Sequence, residues 1–324
     1  MTTTLADVGE RALVERLTRR LPAASGTVVV GPGDDCAVVR LAPDATDDLV
    51  LTSDPVIEGV HVRPDDPPGA VGHKAVARAI SDLAAMGAEP LWGLIDLVAP
   101  AATRVARIEA IYDGARATAA RYGLAIVGGD CACGTVLELH VFAAGRVPRG
   151  TAVLRTTARA GDELYVTGAL GGSLAGRHLN FPPRIKEGAW LRAQGWATAM
   201  MDLSDGLGAD LPRLCTASHV GARLLTEALP IAPEVFAHPD DRAPVAHALH
   251  DGEDFELLFS VAAERRTAFE AAWQATFGLA CSRIGSLTAA ADGVCTLASD
   301  GTFAPLAGGY EHFIKVDRLK TEGC

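Results

Sequence analysis

The segment that most narrows the possible folds is AVGHKAVARAISDLAAMG at 70–87. Val76, Ile80 and Leu83 recur at i, i+4 and i+7, the spacing of a helix with one core face. Ala75, Ala77, Ala79, Ala84 and Ala85 fill most of the remaining circumference. A helix apolar nearly all round belongs in an interior, so the spacing predicts a helix over 70–87, packed on several sides and stopped by Gly87. Asp82 stands in it, about 200° round from Ile80. A buried acid is costly unless it is paired. Two readings stay open for Asp82: an ion pair with Arg78 or another base, or a ligand for a cation.

The rest of the chain repeats that theme, with acids where apolar segments end. Gly33, Asp34 and Asp35 interrupt two β-rich segments at 27–31 and 36–41, and Asp54 ends the strand-like LVLTS at 49–53. Asp130 ends LAIVGG, Asp202 and Asp205 flank Ser204 in MDLSDG, and Glu253 and Asp254 lie in HDGED. A short carboxylate beside glycine at a strand end can point into a cleft. Mg²⁺ takes a few carboxylates and completes its shell with water and substrate phosphates. Several dispersed Asp residues could hold more than one ion and spread the charge of a transferred phosphoryl group. Turn geometry alone accounts for GPGDD equally well, and Asp205 also reads as an N-cap.

Helices are expected at 8–21, 103–122, 187–194, about 206–218 and 264–277. Strands are expected in LWGLIDLVAP, LAIVGGD, VLELHVFAAGRV, ELYVTG and FELLFSV. Their mixed order favours α+β over a doubly wound sheet. A length of 324 residues suggests two domains, with a second half starting near Thr151. A net charge of −11 argues against nucleic acid or an anionic membrane surface as a partner. No apolar run of about 18 residues marks a membrane span. Seven cysteines without zinc spacing read as reduced thiols of a cytoplasmic protein. GALGGSLAG lacks the P-loop lysine, and no G-x-S-x-G elbow or H-E-x-x-H helix is present.

GDDCAVV, TSDPVIEGVH, HKAVARAISDLAAMGAEP, VGGD, LRTTARAGDELYVTG, MDLSDGLGADL and DGEDFELLF follow one another in an order that resembles the thiamine-monophosphate kinases, within the aminoimidazole-ribonucleotide-synthetase-like superfamily. The resemblance covers about residues 9–313, and EGVH with SDLAAMGAEP is its most specific part. It implies a two-domain α+β fold, 1–148 and 149–324, whose N-terminal sheet pairs into a barrel in a homodimer. It implies ATP as co-substrate, thiamine monophosphate as acceptor, and Mg²⁺. The family's metal ligands fall on Asp35, Thr52, Ser53, Asp54, Asp82, Asp130, Asp202 and Asp205, with Asp54, Asp82 and Asp130 central to catalysis as metal holders. Its ATP contacts fall on Gly129, Asp130, Arg155 and Ser204, with Tyr112 beside the adenine. Its substrate contacts fall on His61, Glu253 and Tyr310. The sequence departs from the pattern at Gly172, where an acid is usual, in the short stretch between Gly176 and Pro183, and at Cys131 and His250. A C-terminal Cys324 leaves a hydrogenase-maturation dehydratase as a rival, and a non-catalytic Mg–nucleotide binder is a third reading.

Overall fold

The computed structural model describes residues 3–22, 26–306 and 308–313. Two short helices open it, α1 (Leu5–Val8) and α2 (Glu10–Thr18). The helix expected over 8–21 is realised as α2, which is shorter at both ends: Gly9, at φ 74°, separates it from α1, to which Val8 belongs. There follow β1 (Val28–Val30), β2 (Ala37–Val39), β3 (Asp47–Ile57), α3 (Pro68–Ala85), β4 (Glu89–Ala99), α4 (Val105–Tyr122), β5 (Ala125–Gly128), β6 (Cys131–Cys133) and β7 (Glu138–Pro148). The strands form one mixed, open sheet in the order β1-β2-β3-β7-β4-β5, with β6 also paired to β4. It is not a closed barrel.

The second sheet begins at β8 (Glu163–Thr167) and continues through β9 (Ala197–Asp202), β10 (Val220–Leu225), β11 (Leu257–Val261), β12 (Cys281–Ala289), β13 (Val294–Leu297) and β14 (Phe303–Pro305). Its order is β14-β13-β10-β12-β8-β11-β9, which leaves β9 on an edge. Its helices are α5 (Ile185–Ala193), α6 (Leu207–Ser218), α7 (Pro233–Ala237), α8 (Pro244–His250) and α9 (Arg266–Thr276). β6, β10, α7 and α8 had no clear signal in the sequence. All are short, and period-based reading is weakest for such pieces.

The alanine-rich α3 is the piece on which both halves rest. Val76, Ile80 and Leu83 are fully buried in the core of the first sheet. On its other sides Ala84 and Ala85 meet Tyr165, Met200, Leu257 and Phe259 of the second sheet, and Ala77 meets Phe181 and Phe255. Each large apolar side chain so buried contributes about 1.5–3 kcal/mol. The crossing with α4 is close enough that a Cβ on Gly72 would lie 1.8 Å from the carbonyl oxygen of Ile111. Only glycine fits there. α3 is thus buried on several sides, as its alanines implied, and its small residues let two sheets and a second helix approach it. Any polar side chain on α3 then projects into the junction between the halves.

Candidate active site

β3 supplies the first wall of the site. It runs on to Ile57, so Asp54 lies within the strand and not at its end as the sequence had suggested. Alternation along β3 turns Val50, Thr52, Asp54 and Val56 toward α3 and sends Ser53 to the opposite face, where it is exposed. Of the expected ligands, Ser53 could therefore offer only its backbone carbonyl. The Thr52 hydroxyl donates to the Asp82 carboxylate at 2.5 Å. Asp202, at the end of β9, accepts from the Ser81 hydroxyl at 2.5 Å. Asp35 leaves the turn between β1 and β2 and meets both. One carboxylate oxygen from each of Asp35, Asp82 and Asp202 lies within 4.8 Å of the other two.

These three acids come from positions 35, 82 and 202, and the fold brings them to one point. Burial above all, and then the neighbouring carboxylates, pushes Asp82 and Asp202 well above the usual carboxylate range. Burial also raises Asp34 to about 6, with Asp35 adding to the effect. Arg155 closes the group from the other side. Its guanidinium forks onto both oxygens of Asp35 at 3.0 and 2.5 Å. Asp82 and Asp202 face hydroxyls but make no direct ion pair among the described residues. The donor set is all oxygen, compact and short of positive charge, which suits a hard divalent cation such as Mg²⁺.

A basic cluster adjoins the acids. Arg78 bridges Asp54 and Glu253, at 3.0 Å to each. The ion pair between Arg78 and Asp82 that the helix spacing allowed is thus not the one formed. Lys74, fully buried, donates to Glu253 at 2.5 Å, contacts Nδ1 of His178 at 2.7 Å and donates to the His61 carbonyl. Burial works to raise the Glu253 pKa, but His178, Lys74 and Arg78 together hold it down to about 2. Glu253 has φ 66° and Phe255 φ 50°, left-handed values that only tight surroundings impose on such residues. Lys74, Arg78 and His178 were not among the expected site residues. Lys74, Arg78, Ser81 and Asp82 do follow one another at i, i+4, i+7 and i+8 on α3, and that polar stripe was the available signal.

The His61 imidazole is held in one form. Its Nδ1 accepts the Ile57 N–H at 3.1 Å, which leaves the proton on Nε2. Burial first, and then Arg78, pushes its pKa down to about 3. A histidine with a depressed folded pKa stabilises the protein fully above its unfolded value near 6.5 and loses that contribution as pH falls toward the folded value. Between pH 8 and pH 5 the loss is about 2 kcal/mol. In urea unfolding, His61→Gln is expected to lose about that much less than the parent over this interval. Equal losses would show that His61 is not held neutral.

The remaining expected residues gather elsewhere. Asp130, after β5, is exposed, and its carboxylate accepts the N–H of Cys131 at 2.8 Å. Gly129, at φ 152°, lies so close to Ile95 that a Cβ would fall 1.9 Å from its carbonyl oxygen. Because Asp54 pairs with Val141 and Val141 with Ile95, Asp130 lies about three strand spacings, roughly 14 Å along the sheet, from Asp54. A single Mg²⁺ with bonds of about 2.1 Å does not reach both. Tyr112, half-buried on α4, neighbours Cys131 and Asp96. Asp205 pairs with Arg213 and not with the acid trio. The Ser204 carbonyl accepts the Glu253 N–H. The Tyr310 N–H donates to the Asp205 carbonyl at 2.8 Å, its hydroxyl meets His312 at 3.1 Å, and the His312 ring lies 5.9 Å from that of His61.

Residues 33–147 match the family model for the AIR synthase related protein, N-terminal domain, and residues 159–297 the model for the C-terminal domain. The chain is similar to the thiamine-monophosphate kinase of Rhodopirellula baltica, 39% identical over 279 residues that cover 83% of this chain and 85% of the relative. It is similar to that of Salmonella typhimurium, 35% identical over 327 residues, 94% of this chain and 98% of the relative. A solved structure of AaThiL complexed with AMPPCP and TMP matches it with a TM-score of 0.82 at 31% identity, covering 96% of this chain and 99% of that one.

Proposed function

The chain belongs to the thiamine-monophosphate kinase family, and on that premise we propose that it transfers the γ-phosphoryl group of ATP to thiamine monophosphate, giving thiamine diphosphate and ADP. The observation that carries this reading is the meeting of Asp35, Asp82 and Asp202 within 4.8 Å at the junction of the two sheets. These residues, with Asp54 beside them, would hold Mg²⁺, and Thr52 and the Ser53 carbonyl are nearby candidates for further coordination. Bound there, Mg²⁺ would offset the charge that gathers on the phosphoryl oxygens.

Each remaining group has a part that follows from its chemistry. The acceptor is already an ionised phosphate oxygen, so positioning and charge neutralisation suffice and no strong base is needed. His61, neutral with its proton on Nε2, is a fixed donor for the acceptor. Lys74, Arg78 and His178 make that side of the site basic, while Glu253 holds them in place; Tyr310 lies toward the same side through His312. Gly129, Asp130 and Tyr112 would take the nucleotide, with Arg155 and Ser204 as further contacts for ATP. Incubation with Mg–ATP and thiamine monophosphate should release ADP and form thiamine diphosphate. ADP release that does not depend on the acceptor would overturn the assignment, and tight nucleotide binding with no turnover would favour the non-catalytic alternative. Cys324, on which the dehydratase alternative depends, lies outside the described residues; deleting it should leave turnover unchanged.

The same reading includes a domain boundary near residue 148 and a homodimer. The first sheet ends at Pro148 and the second begins at Glu163, which supports the boundary. The face of the first sheet turned away from α3 carries Trp92 (48% exposed), Leu94 (38%), Phe142 (37%) and Val127 (61%). Leu94 and Phe142 are paired directly across β4 and β7. A contiguous apolar face of this kind marks a protein contact, and a second copy of the same sheet is the partner the family suggests. Leu94→Glu combined with Phe142→Glu is expected to halve the mass seen by analytical ultracentrifugation. A parent protein that sediments as a monomer would sink the dimer.

A further inference from the structure

Arg155 takes an unusual place for a residue assigned to ATP. Its backbone is pinned on both sides: its N–H donates to Asp34 at 3.0 Å, and its carbonyl accepts the Ser218 hydroxyl at 2.5 Å. Its side chain is held by carboxylates alone, Asp35 directly and Asp34 at 4.0 Å. In this structure that side chain forks onto Asp35 through both oxygens, while Asp82 and Asp202, the other two members of the trio, accept from the hydroxyls of Thr52 and Ser81 and form no direct ion pair among the described residues. One of three converging carboxylates is therefore occupied by a cation that belongs to the protein.

We propose that Arg155 couples divalent cation uptake to nucleotide binding: it holds Asp35 until a polyphosphate draws the guanidinium away, and only then is the trio complete for metal. This rests on the Mg–ATP reading above. Arginine stays protonated at any working pH, so it cannot clear the way by losing its charge. A divalent cation arriving alone meets both an occupied Asp35 and a fixed positive charge within a few ångströms. A phosphate chain offers the same planar, bidentate match as a carboxylate with more negative charge. It can therefore exchange partners with Asp35 without leaving a charge unpaired. Arg155 competes with a cation for Asp35 and attracts a phosphate chain, so removing it should tighten metal binding and weaken nucleotide binding when each is measured alone.

The test measures each ligand in the absence of the other on the full chain. Mn²⁺ alone is titrated by electron paramagnetic resonance, and AMPPCP in EDTA by calorimetry. Arg155→Met is expected to bind free Mn²⁺ at least tenfold more tightly than the parent and metal-free AMPPCP at least tenfold more weakly, with Arg155→Lys between them. Mn²⁺ should also raise the melting temperature of Arg155→Met by more than it raises the parent's. Should Arg155→Met not fold without metal, Arg155→Lys against the parent decides on the same two titrations. Unchanged or weaker Mn²⁺ binding in the variants overturns the coupling, even if AMPPCP binding falls. Tighter Mn²⁺ binding with unchanged AMPPCP binding overturns it as well. Failure of the parent itself to bind AMPPCP in the presence of Mn²⁺ is a different result and strikes the nucleotide reading.

Discussion

Asp82→Asn is expected to lower kcat by about a thousandfold or more while leaving the metal-free protein at least as stable as the parent. Metal stabilisation of a transferring phosphoryl group is worth several kcal/mol, and each 1.36 kcal/mol is a factor of ten in rate. Asparagine keeps the volume and can still accept from the Thr52 hydroxyl, which lies 2.5 Å from the carboxylate in the parent. It removes a charge that burial, with Asp54, Asp202 and Asp35 close by, makes unfavourable. An acid whose folded pKa is raised favours folding most when protonated, so the parent should lose stability as pH rises above the unfolded value near 3.8. The variant should lose less over that range. Melting curves with and without Mg²⁺ check both halves of the expectation, because the gain on adding Mg²⁺ should shrink in Asp82→Asn. More than a tenth of parental turnover at saturating Mg²⁺ would remove Asp82 from the metal site.

Glu253→Ala should have the largest effect on stability. Both its oxygens are engaged, one by Arg78 at 3.0 Å and the other by Lys74 at 2.5 Å and His178 at 3.1 Å. Removing the carboxylate leaves buried cations from α3 without their shared partner, and breaking a buried ion pair from one side costs about 3–5 kcal/mol. Relief of the left-handed backbone at Glu253 does not offset this, since alanine is strained there as well. Glu253→Gln keeps the acceptor oxygen but not the charge, and should lie between. Urea unfolding measures the loss. A change below about 1 kcal/mol, the scale of an exposed pair, would mean that the network does not hold α3 to the DGED turn.

Much of the framework was legible before any coordinates. The periodicity of 70–87 implied a helix buried on several sides, and α3 is packed between two sheets and α4. The mixed order of strands and helices implied α+β, and the ordered motifs implied the family. The site was less legible. Asp35, Asp82 and Asp202 were named as candidates and do converge, but nothing in their spacing told them apart from Asp130 and Asp205, which the fold places elsewhere. The basic cluster on α3 was missed because Arg78 was weighed only as a partner for Asp82, and Lys74 carried no signal of its own in an apolar helix.

Sequence by itself determined the local quantities: which segments must be buried, where glycine stops a helix or opens a turn, and which residues carry charge. These follow from side-chain volume, hydrophobicity and backbone freedom, all properties of neighbours along the chain. Only the tertiary structure decided which charges face one another. Electrostatic energy depends on distances through space and on burial, and the chain fixes those only after two sheets have closed on a single helix.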